Sequence, residues 1–437
     1  MTLQQEAWRK FHDNSEHLNQ MAVVYAIRLS GPLDTAALAN SFAALIARHE
    51  SLRARVLLDD DNPRQIIAPF REFELGLLRV DYESAHGSKS KAEEYAIGEF
   101  ASRQYDLAVG PLFDVKLLRR SSTEHVVVWG VNHLAGDGAS FHVMFREFWL
   151  LYRNLVRGSS TPLLTLPTRV AEYQAWQRRA HGIWQREQER DWRRHLEGTP
   201  GIRWPVDSCG AVSDRSVVAQ VHVSRVAFSA TLSTALRELA RRARTLVSLE
   251  IATVYVATLV RWCDQPNMVI ETTVDGRYHR DHRSLVGFLA HFTYLRIQLN
   301  PKDTFLDLLN QVTQEYSRAL AQRDFGRLVS ETPEVLAGTT FQWLPWGIDG
   351  VCGVPTPEEA SEIDIAGELL PFTQRTFAAD AFRFGALFCN TERGISGVLA
   401  CSPRLYLQST LEKFAAALSA TAERFAKDPL AQVLASG

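Results

Sequence analysis

Cysteine is scarce in this 437-residue sequence, which has only five such residues and no Cys-x-x-Cys pair. They are widely spaced and odd in number: Cys209, Cys263, Cys352, Cys389 and Cys401. A disulfide framework needs an even set, and a structural zinc site needs closely spaced ligand pairs. The cysteine content therefore argues against both and predicts a reducing, cytoplasmic environment.

Long apolar runs and a strong net charge are also absent. Nowhere do about 18 apolar residues follow one another, and residues 1–17 contain no apolar segment that could act as a signal peptide. We therefore expect neither export nor a membrane span. The net charge is only −2, so no global field attracts nucleic acid or an acidic membrane, and any partner must be recognised locally.

The composition is that of a folded protein, with 46% hydrophobic and 22% charged residues. The length exceeds what one hydrophobic core serves, and at about 150 residues per domain it predicts two or three domains. Two lobes of similar size fit best.

Strand and helix patterns alternate in the first third of the chain. Residues 22–31 and 124–133 are apolar and β-favouring, which predicts two strands. Asp34 has the residue type of a helix N-cap. Apolar residues at helical spacing then predict a helix after each strand. They are Leu38, Phe42, Leu45 and Ile46 after the first strand, and Phe141, Phe145, Phe148 and Tyr152 after the second.

The remaining chain also mixes the two patterns. Residues 158–170 form a Ser/Pro-rich connector, and the lobe boundary is expected near it. Helices are predicted at 172–198, 231–248 and 304–320, and strands at 267–276 and 292–299. The segment 349–374 contains acidic residues but no Lys or Arg, and this composition predicts a long surface loop.

The clearest chemistry lies between the second strand and its helix, in His133-Leu-Ala-Gly-Asp137-Gly138. An imidazole accepts a proton near neutral pH, and the amide N–H groups of a helix N-terminus stabilise an oxyanion. Acyl transfer needs both. On the residues alone, His133 is also compatible with a hydrogen-bonded core histidine, and Asp137-Gly138 with a turn and helix cap.

Residues 133–140, H-x-x-x-D-G-x-S before a helix containing Leu-Tyr, resemble the core motif of nonribosomal peptide synthetase condensation domains. Other segments resemble landmarks of that family in the same order: 31–34, 48–53, 105–113, 192–207, 276–296 and 322–329. The resemblance covers nearly the whole chain. Segment 322–329 lacks the Pro-Phe pair usual in the family.

The resemblance implies a mixed α/β fold of two chloramphenicol-acetyltransferase-like lobes in a V, with the active site in a tunnel between them. The expected lobes are residues 1–175, which carry the motif, and residues 176–437. An acyl or peptidyl carrier protein would present the donor as a phosphopantetheine thioester, and an amine or hydroxyl acceptor would enter from the other side. The thioester is already activated, so the resemblance implies no bound cofactor and no metal.

The resemblance also assigns roles to motif residues. His133 would deprotonate or position the acceptor, or stabilise the tetrahedral intermediate, and the Gly138 amide would contribute to the oxyanion site. Asp137 would be structural, ion-paired with an arginine such as Arg277 or Arg53.

The sequence departs from the family pattern at three further positions. Asn132 stands where the family usually has a first histidine, in a position expected to be structural. Ala139 replaces a bulky aromatic, and His291 replaces an asparagine. Ala139, Ser140 and His291 are expected to line the pocket, with His291 as a wall residue rather than a second catalyst.

Three functions remain open. The first is a free-standing, monomeric condensation enzyme that uses carrier proteins in trans, since the resemblance occupies residues 1–437; a piece of a larger synthetase is the other possibility. The second is a coenzyme A-dependent O-acyltransferase, and the third a non-catalytic docking module, against which the intact motif weighs. His279 and His282 have the spacing of a metal pair, but without an evident third ligand a solvated loop is favoured.

Overall fold

The computed structural model describes most of the chain. The described residues are 1–11, 18–58, 63–70, 80–81, 89–205, 207, 221–321, 339–344, 354–369, 384–391, 394–403 and 405–434. They fall into two compact units. The first contains residues 1–180, 275–290 and 349–377, and the second contains 181–274, 291–348 and 378–437. The lobe limits of 1–175 and 176–437 stay a prediction.

Helices and strands occur in both units. The α-helices are α1 (Leu3–Phe11), α2 (Thr35–Arg48), α3 (Lys89–Ala101), α4 (Gly138–Arg157), α5 (Val170–Leu196), α6 (Ala230–Arg242), α7 (Val247–Trp262), α8 (Phe305–Ala321), α9 (Pro357–Ile363) and α10 (Gln408–Lys427). The strands are β1 (Ala22–Ser30), β2 (Ala54–Leu57), β3 (Arg64–Ile67), β4 (Val80–Asp81), β5 (Phe113–Arg119), β6 (Glu124–Asn132), β7 (His222–Ala227), β8 (Asn267–Val274), β9 (His291–Gln298), β10 (Thr340–Leu344), β11 (Ala366–Leu369), β12 (Phe384–Thr391) and β13 (Gly394–Cys401).

The first unit is built on a five-stranded sheet of order β11-β1-β6-β5-β4. Alternate residues of β1 and β6 face opposite sides, because side chains alternate along a strand. One side packs against α3, and the other meets α2 and α4 in an aromatic core. In that core Trp129 of β6 contacts Phe42 and Phe145, with ring centroids 4.7 and 4.6 Å apart. This packing fixes β6 against the start of α4, where the motif lies.

The second unit contains a six-stranded sheet of order β7-β13-β12-β10-β8-β9. Its main core joins one face of the sheet to α6, α7, α8 and α10. A smaller cluster lies on the other face: Trp192, Leu196, Val269, Tyr294 and Ala319.

Two expectations from the sequence are wrong in detail. The helix predicted at 231–248 is broken between α6 and α7, because Arg244 adopts a left-handed φ of 54° without the glycine that usually signals such an end. The loop predicted at 349–374 contains α9 and β11. A capping box of Thr356 and Glu359 starts α9, and β11 pairs with β1 at the sheet edge.

Within the described part of the chain, no single helix is long and apolar enough to cross a membrane. The helices α6 and α7 meet that requirement only as a pair, bent by 107°.

Candidate active site

The turn after β6 positions the motif, and Asn132 holds this turn. Its buried side chain donates from Nδ2 to the Leu18 carbonyl at 2.8 Å and accepts the Leu134 amide at 3.0 Å. The His133 amide donates to the Met21 carbonyl at 2.6 Å. These bonds fix the backbone on both sides of His133.

The imidazole of His133 lies between two aromatic rings. Trp8 of α1 is stacked on it with a centroid distance of 6.2 Å and an interplanar angle of 25°. Phe288 contacts it at 4.7 Å. His133 is only partly exposed, and its Nδ1 is buried without a hydrogen-bond partner in the part of the chain that the structure describes. The ring is therefore held by packing on two sides.

The environment of His133 favours the neutral ring. Burial lowers the pKa of His133 below its usual value, and the charge of Asp137 and the residue's own backbone carbonyl oppose this only in part. A neutral imidazole keeps one ring nitrogen with a free lone pair. A histidine in this state can accept a proton.

This pKa shift predicts the pH dependence of the reaction. If His133 acts as a base, kcat/KM stays high as the pH falls through 6.5, the usual histidine pKa, and declines only below it. A pH profile measured with a neutral thioester donor tests this. If kcat/KM already declines above pH 6.5, and does so at different ionic strengths, the assignment of His133 as the base is contradicted.

The carboxylate of Asp137 is fully buried and bonded at both oxygens. Its Oδ1 accepts from the Ser140 amide at 2.9 Å and from Arg277 Nη2 at 3.0 Å. Its Oδ2 accepts from Arg277 Nη1 and from the amides of Leu289 and Ala290, at 3.0, 3.1 and 3.0 Å. Burial alone would raise the pKa of Asp137, but Arg277 and these hydrogen bonds hold it below the usual value. The carboxylate therefore stays ionised and has no free position from which to move a proton.

Ser140 extends the same network. Its hydroxyl accepts from the Gly287 amide at 3.0 Å, lies 2.8 Å from Asp137 Oδ1, and is fully buried. Together with Asp137 it forms a capping box at the start of α4. The network thus ties the N-terminus of α4 to residues 285–290.

Gly276 allows this segment to approach. Its φ is +71°, and a Cβ there would lie 2.0 Å from the Leu289 carbonyl oxygen, so only glycine fits. Arg277, which follows it, is anchored by the carbonyl of Leu285, 2.9 Å from Nη2.

Gly138 is the first residue of α4 and is partly exposed, whereas its neighbours Asp137 and Ala139 are buried. The first amides of a helix have no intrahelical acceptor, and the helix dipole places partial positive charge there. His133 and Gly138 are the two residues of 131–140 that are not buried. The motif therefore leaves part of an imidazole and part of a helix N-terminus exposed on the first unit.

The other candidate residues have different places in the structure. Of the two arginines considered for Asp137, Arg277 forms the pair, while Arg53 donates to backbone carbonyls, including that of Ile46 at 3.0 Å. Ala139 is buried beside Gly138. His291 is buried at the first residue of β9, in the second unit.

No group of three His, Cys, Asp or Glu side chains that could hold a metal ion occurs among the described residues. His279 is exposed, but His282 is buried against Tyr173 and Trp176, so the solvated loop expected for this pair is wrong for His282. The segment 322–329 lies outside the described residues.

Nothing in the sequence indicated that α1 forms part of this site. Gln5 Nε2 donates to the Leu134 carbonyl at 2.6 Å, and Thr2 Oγ1 donates to the Phe288 carbonyl at 3.0 Å. These bonds place Trp8 over the imidazole. A polar N-terminal helix carries no local signal for such contacts, since they depend on residues more than a hundred positions away.

The contact between Trp8 and His133 leads to a prediction for substitutions of Trp8. In Trp8→Leu the imidazole loses its stacked ring and gains water, so kcat should fall about tenfold with little change in KM. The acid limb of the pH profile should also move upward, because less burial lowers the pKa less. Trp8→Phe keeps a ring there and should retain most activity; equal losses in both variants, with an unmoved acid limb, would assign Trp8 a structural role only.

The comparisons with known proteins agree with this geometry. The sequence model of the condensation domain matches residues 2–433, and the chain belongs to that family. It is 31% identical over 425 residues to phosphinothricin tripeptide synthetase PhsC of Streptomyces viridochromogenes, an alignment that covers 92% of this chain. The chain spans 37% of that synthetase's length.

Solved structures share the fold. The X-domain from teicoplanin biosynthesis has a TM-score of 0.79 at 22% identity, over 99% of this chain and 96% of that one. The first condensation domain of the calcium-dependent antibiotic synthetase has a TM-score of 0.80 at 18% identity, over 99% and 97%. The predicted family and its mixed α/β fold are thus confirmed.

Proposed function

We propose that this chain transfers an acyl group from a carrier-protein phosphopantetheine thioester to an amine or hydroxyl acceptor. The single observation that carries the proposal is His133, a partly exposed imidazole with a lowered pKa in the turn that leads into the N-terminus of α4. Nε2 would take the acceptor proton as the acceptor attacks the thioester carbonyl. The tetrahedral oxyanion would lie at the Gly138 amide, and collapse would expel the thiolate, which takes up the proton.

The activity of the relatives supports the substrate class. PhsC is named as a tripeptide synthetase, which by analogy suggests a donor held by a carrier protein here. Asp137 would act only through structure, since both of its oxygens are occupied. A thioester is reactive enough for base and positioning to supply the rate, which is why the proposal invokes no metal or redox cofactor.

The test offers the same acyl group in two forms. Purified protein is incubated with acyl-carrier protein or with acyl-coenzyme A, each with a panel of amines and alcohols, and products are identified by mass spectrometry. Product from the carrier-bound donor supports the proposal, and the amide or ester mass reports the acceptor class. Product from coenzyme A alone would establish an O-acyltransferase instead, and no product with any donor would leave a docking module.

A further inference from the structure

A second polar cluster lies in the second unit, on a face of its sheet. Glu271 of β8 lies directly opposite Tyr294 of β9 and Thr340 of β10 in strand register. Side chains in register project from the same face, so the three lie side by side. The Thr340 hydroxyl donates a 2.7 Å hydrogen bond to Glu271 Oε1.

Tyr294 provides an unused hydrogen-bond donor in this cluster. The residue is only 3% exposed, yet its hydroxyl has no hydrogen-bond partner among the described residues. Buried tyrosine hydroxyls ordinarily find one, because leaving such a group unbonded is costly. Burial and the charge of nearby Glu271 raise the pKa of Tyr294 well above its usual value, so the O–H is retained.

Glu271 is an acid without a cation. Burial raises its pKa to about 7, and the hydrogen bond from Thr340 opposes this only in part. No Lys or Arg side chain of the described residues forms an ion pair with it. A cation placed beside it would favour the ionised carboxylate and offset the cost of burial.

The cluster is covered on one side and partly exposed on the other. Towards Val269 the sheet face is covered by Trp192 and Ala319, in the small hydrophobic cluster that includes Tyr294. In the other direction along β8 and β9, Thr273 and Phe292 are cross-strand partners and both are partly exposed, as is Glu271 itself. On that side, part of the cluster is exposed.

We propose that Glu271, Tyr294 and Thr340 form a binding site for a protonated primary amine that carries a neighbouring carbonyl group. The Glu271 carboxylate would accept from the ammonium group, and the Tyr294 hydroxyl would donate to the carbonyl oxygen. Thr340 would hold the carboxylate in position. The amine of this ligand rests on the amine acceptor of the proposed function and its carbonyl on the Tyr294 donor, whereas the site itself does not require catalysis.

The test uses two amides that differ only by the amine, L-phenylalaninamide and 3-phenylpropanamide. Their affinities for the full chain are measured by NMR titration. We expect wild type to bind the first about tenfold more tightly, and Glu271→Gln to remove this preference. Tyr294→Phe should weaken binding of both while leaving the melting temperature unchanged or higher, because the hydroxyl it removes is unbonded. Glu423→Gln, an exposed acid of the same unit, is the control for charge alone.

Equal affinity of wild type for the two amides, absence of binding, or a preference that survives Glu271→Gln would each overturn the site. His133→Ala separates this proposal from the proposed function, because it should lower turnover by about a hundredfold or more and leave amine binding intact. Acyl transfer without amine binding would retain the proposed function and remove the site; amine binding without acyl transfer would do the reverse.

Discussion

Replacing His133 by alanine is expected to lower turnover by about a hundredfold or more, with the fold unchanged. A general base contributes roughly 10²–10⁴-fold to a reaction of this kind. The structural cost should be small, because Nδ1 has no partner in another residue and the ring is partly exposed. Single-turnover product formation and a thermal melt, measured on the same preparation, test both statements.

A second substitution distinguishes the roles that the sequence left open for His133. His133→Gln keeps a polar side chain of similar size but cannot carry a proton at neutral pH. If the imidazole is the base, the two variants lose activity alike; if it only positions the acceptor, glutamine should restore a substantial part. His279→Ala, at an exposed histidine of the same unit, is the matched control and should be fully active. Wild-type rates in His133→Ala would remove the base from the proposed mechanism.

The helices around the motif could be predicted because the spacing of apolar residues indicates which side of a helix is buried. All four aromatic residues at helical spacing in α4 are buried, and Asp34 caps α2 with bonds of 2.9 Å to two amides. These features depend on residues a few positions apart. The missed capping box of α9 was also local, and its acidic residues were attributed to a loop when Thr356-Pro-Glu-Glu indicated a helix start.

Features that depend on distant residues could not be obtained in this way. The pair of Asp137 with Arg277 joins positions 140 residues apart, and Arg53 was an equal candidate until the chain path was known. The contact of Trp8 with His133 could not be predicted either, since nothing in α1 itself indicates that Trp8 stacks on this imidazole. The sequence therefore singled out His133, whereas the residues that contact its ring could be found only from the tertiary structure.

Breaking the Asp137–Arg277 pair should cause the largest loss of stability. Both side chains are at most 2% exposed, so Asp137→Ala leaves a buried guanidinium without its carboxylate and also frees the Leu289 and Ala290 amides. Removing one partner of a buried pair costs about 3–5 kcal/mol, which lowers the melting temperature by roughly 10 °C. Asp281→Ala, which breaks an exposed pair, should change stability by less than about 0.5 kcal/mol.

Combining Asp137→Ala with Arg277→Met tests the cause of that loss. If the cost comes from the unpaired charge, the double variant should be more stable than the sum of the two single losses predicts, because the methionine carries no charge to bury. The folded pKa of Asp137 lies below its unfolded value, so its contribution is present above about pH 4 and is lost as the pH falls through the lowered pKa. The melting difference between wild type and Asp137→Ala should shrink in acid accordingly. Additive losses, or an Asp137→Ala protein that melts like wild type, would show that the carboxylate does not hold α4 to residues 285–290.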